Sequence, residues 1–407
     1  MIRSFGIQNR RASYSPDRRP AIIGAFMAFM MLLQVLYEGS PEIIQISSLI
    51  VFVVLSFIVT TYQKTNLVPM SVLVLFGLLF FMLIFSNLIS LEVIGISSFL
   101  RMFAIMGYLI IGLLFAARLD HYIIERALPA YAIGLALVLV YVLYDNDRIF
   151  ARLSGNLHPN LWGFVVATSL PFVFFSKIRL LFKLIISAFF LYLLAFEFQT
   201  RAALSWAIFS FVVFLPVRLM GGKSNTNTKL LIISSITIAL SALVILIISN
   251  LDFVRAVFQF ESSTRGVGSG LSGRTALWAE AFHVFQDRPF LGHGFDSGRY
   301  YASNFFEVYV AGDIESLHNS YLTMFFDMGV IGGTLYLIIV GLALGGAFAS
   351  RNIILISFLI VYLGMGITDS RPLNVANPPG LLFVVLLPYL ATVFLLRLER
   401  KKVTKII

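Results

Sequence analysis

Long apolar runs recur along almost the whole chain, and they constrain its fold more than any other feature. Each run is about 20 residues long, which is the length that an α-helix needs to cross the hydrocarbon core of a bilayer. Of the 407 residues, 59% are hydrophobic and only 12% are charged, whereas soluble domains carry about 25% charged residues. The sequence therefore predicts an all-α polytopic membrane protein.

The apolar runs, divided at charged residues and at glycine or proline, predict about 12 transmembrane helices. The first nine fall within residues 20–250 and the last three within residues 320–396. One long connection, residues 251–319, separates the two sets, and every other connection is short. The predicted spans are 20–37, 43–62, 68–91, 97–117, 127–144, 161–176, 180–198, 202–219, 230–249, 320–345, 353–367 and 380–396.

The basic residues orient these spans. If the basic N-terminal arm, residues 1–19, is cytoplasmic, every lysine lies on the cytoplasmic side and the opposite side carries arginine alone. This positive-inside bias places the basic tail, residues 397–407, in the cytoplasm and the 251–319 loop outside. The arm lacks a small-residue cleavage site, so we expect it to be retained. An outer face with only arginine suits a phosphorylated ligand, although topology alone would also produce it.

The long loop contains a helical pattern, SGRTALWAEAFHVF. We expect an ordered amphipathic helix there, preceded by a flexible glycine-rich stretch. The predicted apolar face consists of Leu277, Trp278, Ala281, Phe282 and Phe285.

Three polar groups of residues fall on the outer face. His158 and Asn160, in GNLHPN, fit a turn and a helix cap more simply than catalysis. Arg201, in FQTRAALSW, stands at a membrane boundary, where an ionisable residue indicates function although arginine there also reaches lipid phosphates. The third group lies in or directly after the long loop, where several arginines can pair with the loop's acids; it comprises Arg265, Arg274, Trp278, Arg288, His293, His318 and Asn319.

The stretch SLHNSYLTMFFDMGVIGG, residues 316–333, predicts a helix that begins near Ser316 or His318. A straight helix would place the glycines about 16 Å deeper than the imidazole and would direct Asp327 away from both. Gly329 and Gly333 fit a small-residue contact with a neighbouring helix. His318 is instead a candidate for proton transfer, since packing needs no imidazole. The predicted stripe on one helix face is His318, Leu322, Phe325, Gly329 and Gly332.

Several kinds of chemistry have no support in the sequence. The chain has no cysteine, and its histidines and acids lack metal-ligand spacing, so neither a metal nor a cofactor is predicted. The net charge of +10 suits an anionic membrane surface and requires no nucleic acid. No nucleotide-binding fingerprint is present, so we expect a substrate that arrives already activated. A transporter or flippase is the alternative, although the ionisable residues cluster at the outer face and not at the midplane.

Five motifs in order resemble those of the bacterial O-antigen ligase and polysaccharide polymerase superfamily, over roughly residues 150–340. They are HPN at 158–160, Thr200–Arg201, Gly273–Arg274 with Trp278, RPFLGHG at 288–294, and His318–Asn319 followed after nine residues by Gly-x-x-Gly. Thr200 departs from the serine, and Asp327 from the glutamate, that are more usual in the family.

The resemblance implies a metal-independent membrane glycosyltransferase with a GT-C-like fold and an active site on the periplasmic face of the bacterial inner membrane. Its donor would be an undecaprenyl-diphosphate-linked glycan, and its acceptor a glycan or the lipid A core; other polysaccharide-assembly membrane proteins would be partners. Arg201 and Arg274 match the positions that bind the donor diphosphate, and His318 matches the base. A polymerase is slightly favoured over a ligase. The substrate-binding candidates are Asn319, Arg288, Arg265, His293, Trp278, His158 and Asn160.

Overall fold

A computed structural model gives the fold of the described part of the chain. The described residues are 19–36, 50, 54, 68–90, 96–118, 121–145, 148–149, 152–153, 158–220, 274–306, 316–369, 373, 375 and 377–406. The predicted spans 43–62 and 230–249 lie largely or wholly outside these ranges, as do Arg265 and the glycine-rich stretch before the loop helix.

The described residues are almost entirely helical. A two-residue antiparallel strand pair, Arg148–Ile149 (β1) with Arg152–Leu153 (β2), is the exception. One helix, α6, continues through a π-helical turn at Leu193–Glu197. The helices are α1 (Arg19–Leu36), α2 (Met70–Ile89), α3 (Ile96–Arg118), α4 (His121–Asp145), α5 (Pro159–Phe174), α6 (Leu180–Tyr192), α7 (Arg201–Met220), α8 (Arg274–Phe285), α9 (Ser297–Asn304), α10 (Ser320–Ser350), α11 (Ile353–Met365) and α12 (Pro378–Ile406).

Hydropathy predicted the membrane helices well. In the described part, 6 helices are long and apolar enough to cross a membrane, and four shorter apolar helices accompany them. These coincide with the predicted spans that the structure describes, so the chain is a polytopic α-helical membrane protein. The full count of about 12 spans and the GT-C-like fold stay predictions.

Small residues bring the membrane helices into close contact. Gly24 of α1 packs on the backbone of α4, and Gly134 of α4 packs on Ala28 of α1. Gly346 of α10 lies against the backbone of Leu390 in α12. Larger side chains at these positions would hold the helices apart. Within lipid no hydrophobic force drives helices together, so their association depends on the close backbone contact that small residues allow.

Helix α10 is broken at Gly329, which has φ 67° and ψ −174°. Phe325 packs on Gly333, and Tyr321 lies close enough to Tyr336 to interact with it electrostatically. In a straight helix those pairs would be about 12 Å and about 22 Å apart. The two parts of α10, residues 320–328 (the first arm) and 330–350 (the second arm), therefore fold back on each other.

This break corrects two predictions about residues 316–333. The helix begins at Ser320, not at Ser316 or His318, and the continuous stripe that included His318, Leu322, Phe325, Gly329 and Gly332 does not form. Gly329 packs against the backbone of Phe290 and Leu291, which belong to a loop and not to a neighbouring helix.

The predicted loop helix exists as α8, but its buried face differs in part from the prediction. Leu277 and Ala281 are buried, and Trp278 and Phe285 are half-buried, whereas Phe282 is exposed. Together with α9 and the first arm, α8 forms a second small core, which includes Leu317 and Phe326. We call α8 and α9, with the residues between them, the loop unit. Its core includes residues of the first arm, so the loop unit and the first arm pack as one body.

Candidate active site

The motif at 158–160 is a helix cap. The Nδ1 atom of His158 accepts a hydrogen bond from the backbone N–H of Asn160 at 3.1 Å, and Pro159 occupies the first helical position, where its missing N–H costs nothing. His158 is exposed and Asn160 is half-buried. The simpler alternative that the sequence offered for this motif therefore accounts for the backbone geometry.

Thr200 brings Arg201 to the same end of α5. Gly163, one turn after Asn160, packs directly on the Thr200 side chain. Trp162 stacks on Phe198, with ring centroids 6.1 Å apart. Arg201 is the first residue of α7 and therefore lies at the positive end of that helix, which favours anions.

Trp278 joins α8 to the residue before His318. Its indole Nε1 donates a hydrogen bond to the carbonyl oxygen of Leu317 at 2.8 Å. Arg274 is the first residue of α8 and lies four residues before Trp278, on the same helix face. The structure thus brings Arg274 and Trp278 to the neighbourhood of His318.

His318 occupies a left-handed turn, with φ 50°. Such a conformation costs a non-glycine residue about 1–2 kcal/mol and persists only where its surroundings enforce it. The next residue, Asn319, caps α10: its Oδ1 accepts hydrogen bonds from the N–H groups of Tyr321 and Leu322, both at 3.0 Å. Because Asn319 caps α10, the half-buried ring of His318 stands outside the helix.

The end of α11 holds these parts together. The N–H of Ser320 donates to the carbonyl oxygen of Gly366 at 2.7 Å, and the hydroxyl of Tyr321 donates to that of Leu363 at 2.7 Å. On its other sides the same end contacts α5 and α7, through Tyr362 on Phe164 with centroids 5.1 Å apart and through Gly364 on Trp206. We call residues 317–320 with Gly366 the base; the elements that carry His158, Arg201, Arg274 and His318 all meet there.

The other end of the first arm, residues 326–331 together with loop residues 288–294, we call the apex. Its hydrogen bonds satisfy both helix ends that the break exposes. The N–H groups of His293 and Gly294 donate to the carbonyl oxygens of Phe326 and Asp327, each at 2.9 Å. In return, the N–H of Val330 donates to the carbonyl oxygen of Pro289 at 2.7 Å.

His293 and Arg288 lie at the apex, and the structure does not bring them to the base. The His293 ring is buried, stacks on Phe326 at 4.8 Å and has its Nε2 2.9 Å from the carbonyl oxygen of Val284. Burial lowers the pKa of His293 below its ordinary value, an effect that the hydrogen bond to Val284 partly offsets. Arg288 is exposed.

Sequence reasoning missed the role of Asp327, which is buried at the apex. Its carboxylate accepts hydrogen bonds from the N–H groups of Asp296 and Gly298, at 2.9 and 2.8 Å, and from the hydroxyl of Ser297, at 3.1 Å. It therefore caps the N-terminus of α9, a helix that the sequence analysis also missed. Asp296 in turn pairs with Arg101 of α3 at 2.7 Å. The local sequence offered little signal, because the Asp296 side chain at the N-cap of α9 makes no cap hydrogen bond.

Among the described residues, no group of three or more His, Cys, Asp or Glu side chains could hold a metal ion. Arg265 lies outside those residues. The elements that meet at the base carry side chains suited to phosphate and proton chemistry, among them Arg201, Arg274 and His318.

Comparison with known families gives one match, and comparison with curated proteins gives none. Residues 184–337 match the family model described as O-antigen ligase. The matched range contains Arg201, α8, the apex and residues 317–320 of the base, and so covers four of the five motifs. This part of the chain is accordingly similar to the O-antigen ligase and polymerase superfamily, a family of glycosyl-transferring enzymes.

Proposed function

We propose that this protein transfers an undecaprenyl-diphosphate-linked oligosaccharide or polysaccharide to a glycan acceptor, and that the reaction takes place at the base, on the periplasmic face. The observation that supports the proposal is that the elements carrying Arg201, Arg274 and His318 meet around the end of α11. These elements are two helices, α7 and α8, and the loop before α10, and the contacts described above tie each of them to that end.

The two arginines would bind the donor diphosphate. Guanidinium groups form paired, charge-assisted hydrogen bonds with phosphate oxygens. Each arginine is also the first residue of its helix, where the helix dipole adds to the attraction for an anion. Such a site stabilises the negative charge that develops on the leaving diphosphate without a metal ion.

His318 would act as the general base. It takes the proton from the acceptor hydroxyl while that oxygen attacks the anomeric carbon of the donor sugar. The bond between the anomeric carbon and the diphosphate oxygen breaks, and undecaprenyl diphosphate leaves with its charge held by the arginines. Trp278, Asn319, His158 and Asn160 lie on the elements that surround this position and would line the acceptor side.

The experiment replaces the proposed residues in a deletion strain and examines its surface glycan. His318→Ala and Arg201→Ala should abolish transfer, a loss of at least about 100-fold, while the protein accumulates in the membrane. The matched controls are His283→Ala and Arg299→Ala, since both side chains are exposed on the same loop unit. Full transfer by either His318→Ala or Arg201→Ala rejects the mechanism.

The same strain separates a polymerase, which we favour, from a ligase. Loss of a polymerase leaves single repeat units attached to the lipid A core. Loss of a ligase leaves long chains on the undecaprenyl carrier. Repeat units retained on the cytoplasmic leaflet would indicate a flippase and would reject the proposal.

A further inference from the structure

Phe290 is unusual at the apex because its backbone is fixed while its ring is free. The neighbouring carbonyl of Pro289 and its own carbonyl accept hydrogen bonds from Val330 and Ile331, at 2.7 and 3.4 Å. The Phe290 side chain is nevertheless 68% exposed. A single exposed aromatic ring is ordinary on a protein surface, so the residues around Phe290 decide what the ring contacts.

The exposed residues of the second arm beside Phe290 indicate what the Phe290 ring contacts. The second arm exposes Val330, Ile331, Thr334, Leu337 and Ile338, which fall on one face of a helix that is a candidate membrane span. A largely apolar exposed face on such a helix is a lipid-facing surface. Phe290 lies against the first turn of this face, so its ring continues the lipid-facing surface.

The length of the second arm indicates the depth of Phe290 relative to the membrane. Residues 330–350 rise about 31 Å at 1.5 Å per residue, which matches the hydrocarbon thickness of about 30 Å. Val330 therefore lies at the boundary of the hydrocarbon core. Asp287 and Arg288, directly before Pro289, are exposed, as charged residues at headgroup level would be.

We propose that Phe290 anchors the apex to the phospholipid bilayer, with its ring among the acyl chains of the adjacent leaflet and Arg288 among the headgroups. The anchor fixes the loop unit, and with it Arg274, at a constant depth. It does not depend on which glycan the base transfers, because it uses none of the residues that meet there.

Spin labelling tests the anchor directly. Because the chain has no cysteine, Phe290→Cys can carry a nitroxide without other changes, and the labelled protein is reconstituted in phosphatidylethanolamine and phosphatidylglycerol vesicles. Collision rates with oxygen, which concentrates in acyl chains, are compared with those of a water-soluble nickel chelate. Leu337→Cys on the second arm is the lipid control, and Glu280→Cys, exposed on α8, is the water control.

The anchor predicts an oxygen-to-nickel ratio at position 290 that is several-fold above that at 280 and close to that at 337. Preference for nickel would show that the ring faces water. Protection from both reagents would show a protein contact, with another segment or a second copy; either result overturns the proposal. Should Phe290→Cys fail to accumulate, benzoylphenylalanine at position 290 keeps an aromatic ring, and on illumination it should cross-link to phospholipid and not to protein.

Discussion

The base and the apex are the two ends of one short helical arm, and they use polar residues in opposite ways. At the apex, buried polar groups are matched to one another: Asp327 accepts three hydrogen bonds, and the loop satisfies both sides of the break. At the base, Asn319 and Ser320 satisfy the backbone, which leaves the half-buried ring of His318 outside the helix. One sequence motif thus joins the apex, a structural end, to the end at which we propose the chemistry.

The largest expected effect at the apex comes from Gly329→Ala. A methyl group would collide with the Phe290 carbonyl, and φ 67° with ψ −174° is a backbone region open essentially to glycine alone, with a strain of about 1–3 kcal/mol before the collision is counted. We expect the protein to accumulate poorly in membranes, as measured by immunoblotting. Gly341→Ala is the control, because a methyl group there meets nothing within 4 Å. Equal accumulation of the two variants would mean that the break is not needed.

Asp327→Asn should have the next largest effect. The amide would present a donor to a site where three donors already converge, and one unsatisfied buried group costs about 1–3 kcal/mol. We expect a lower thermal unfolding midpoint in detergent, whereas Asp287→Asn, at an exposed position, should leave the midpoint unchanged. If Asp327→Asn unfolds at the same midpoint as the unmodified protein, the Asp327 carboxylate does not stabilise the apex.

Trp278→Phe should affect the base more mildly. It keeps most of the ring packing and loses the hydrogen bond to Leu317, worth about 0.5–1.5 kcal/mol. We expect a raised KM for the lipid-linked donor, because Arg274 is then held less firmly, with little change in unfolding midpoint. Phe282→Leu, exposed on the same helix, is the control. An unchanged KM would mean that α8 does not position the donor.

The smallest expected effect is a pH dependence at the apex. Burial lowers the pKa of His293, so the unfolded chain binds a proton there at a higher pH than the folded protein does. Stability from this group is therefore fully present above the unfolded value of about 6.5 and is lost as the pH falls below it. The difference in unfolding midpoint between the unmodified protein and His293→Gln should shrink between pH 7.5 and 5.5. A difference that stays constant would show that His293 does not titrate in this way.

The sequence predicted the membrane helices that the structure describes, but it did not predict the break. Long apolar runs specify spans by hydropathy alone, and the motifs place Arg201, Arg274 and His318 at helix starts or directly before one. Gly329 was ambiguous, since glycine in an apolar helix serves close packing as well as a sharp turn. Only the contact with Phe290, distant in the sequence, distinguishes the two.

The short helix α9 and its cap were also beyond sequence reasoning. Its residues, SGRYYASN, lack the apolar periodicity that indicates a helix. The group that stabilises its N-terminus, Asp327, belongs to a different helix, so a local search for capping residues finds only half of the arrangement.

The central claim is that the transfer chemistry lies at the base and that the apex is structural, and two histidines test it most directly. His318→Gln and His293→Gln make the same replacement at the two ends of one arm, and the transfer rate per folded molecule is measured for both in vesicles with a lipid-linked donor. We predict that His318→Gln keeps its unfolding midpoint and loses at least about 100-fold in rate, whereas His293→Gln lowers the midpoint and keeps the rate. The reverse pattern, a lost rate at 293 and a retained rate at 318, would contradict the account.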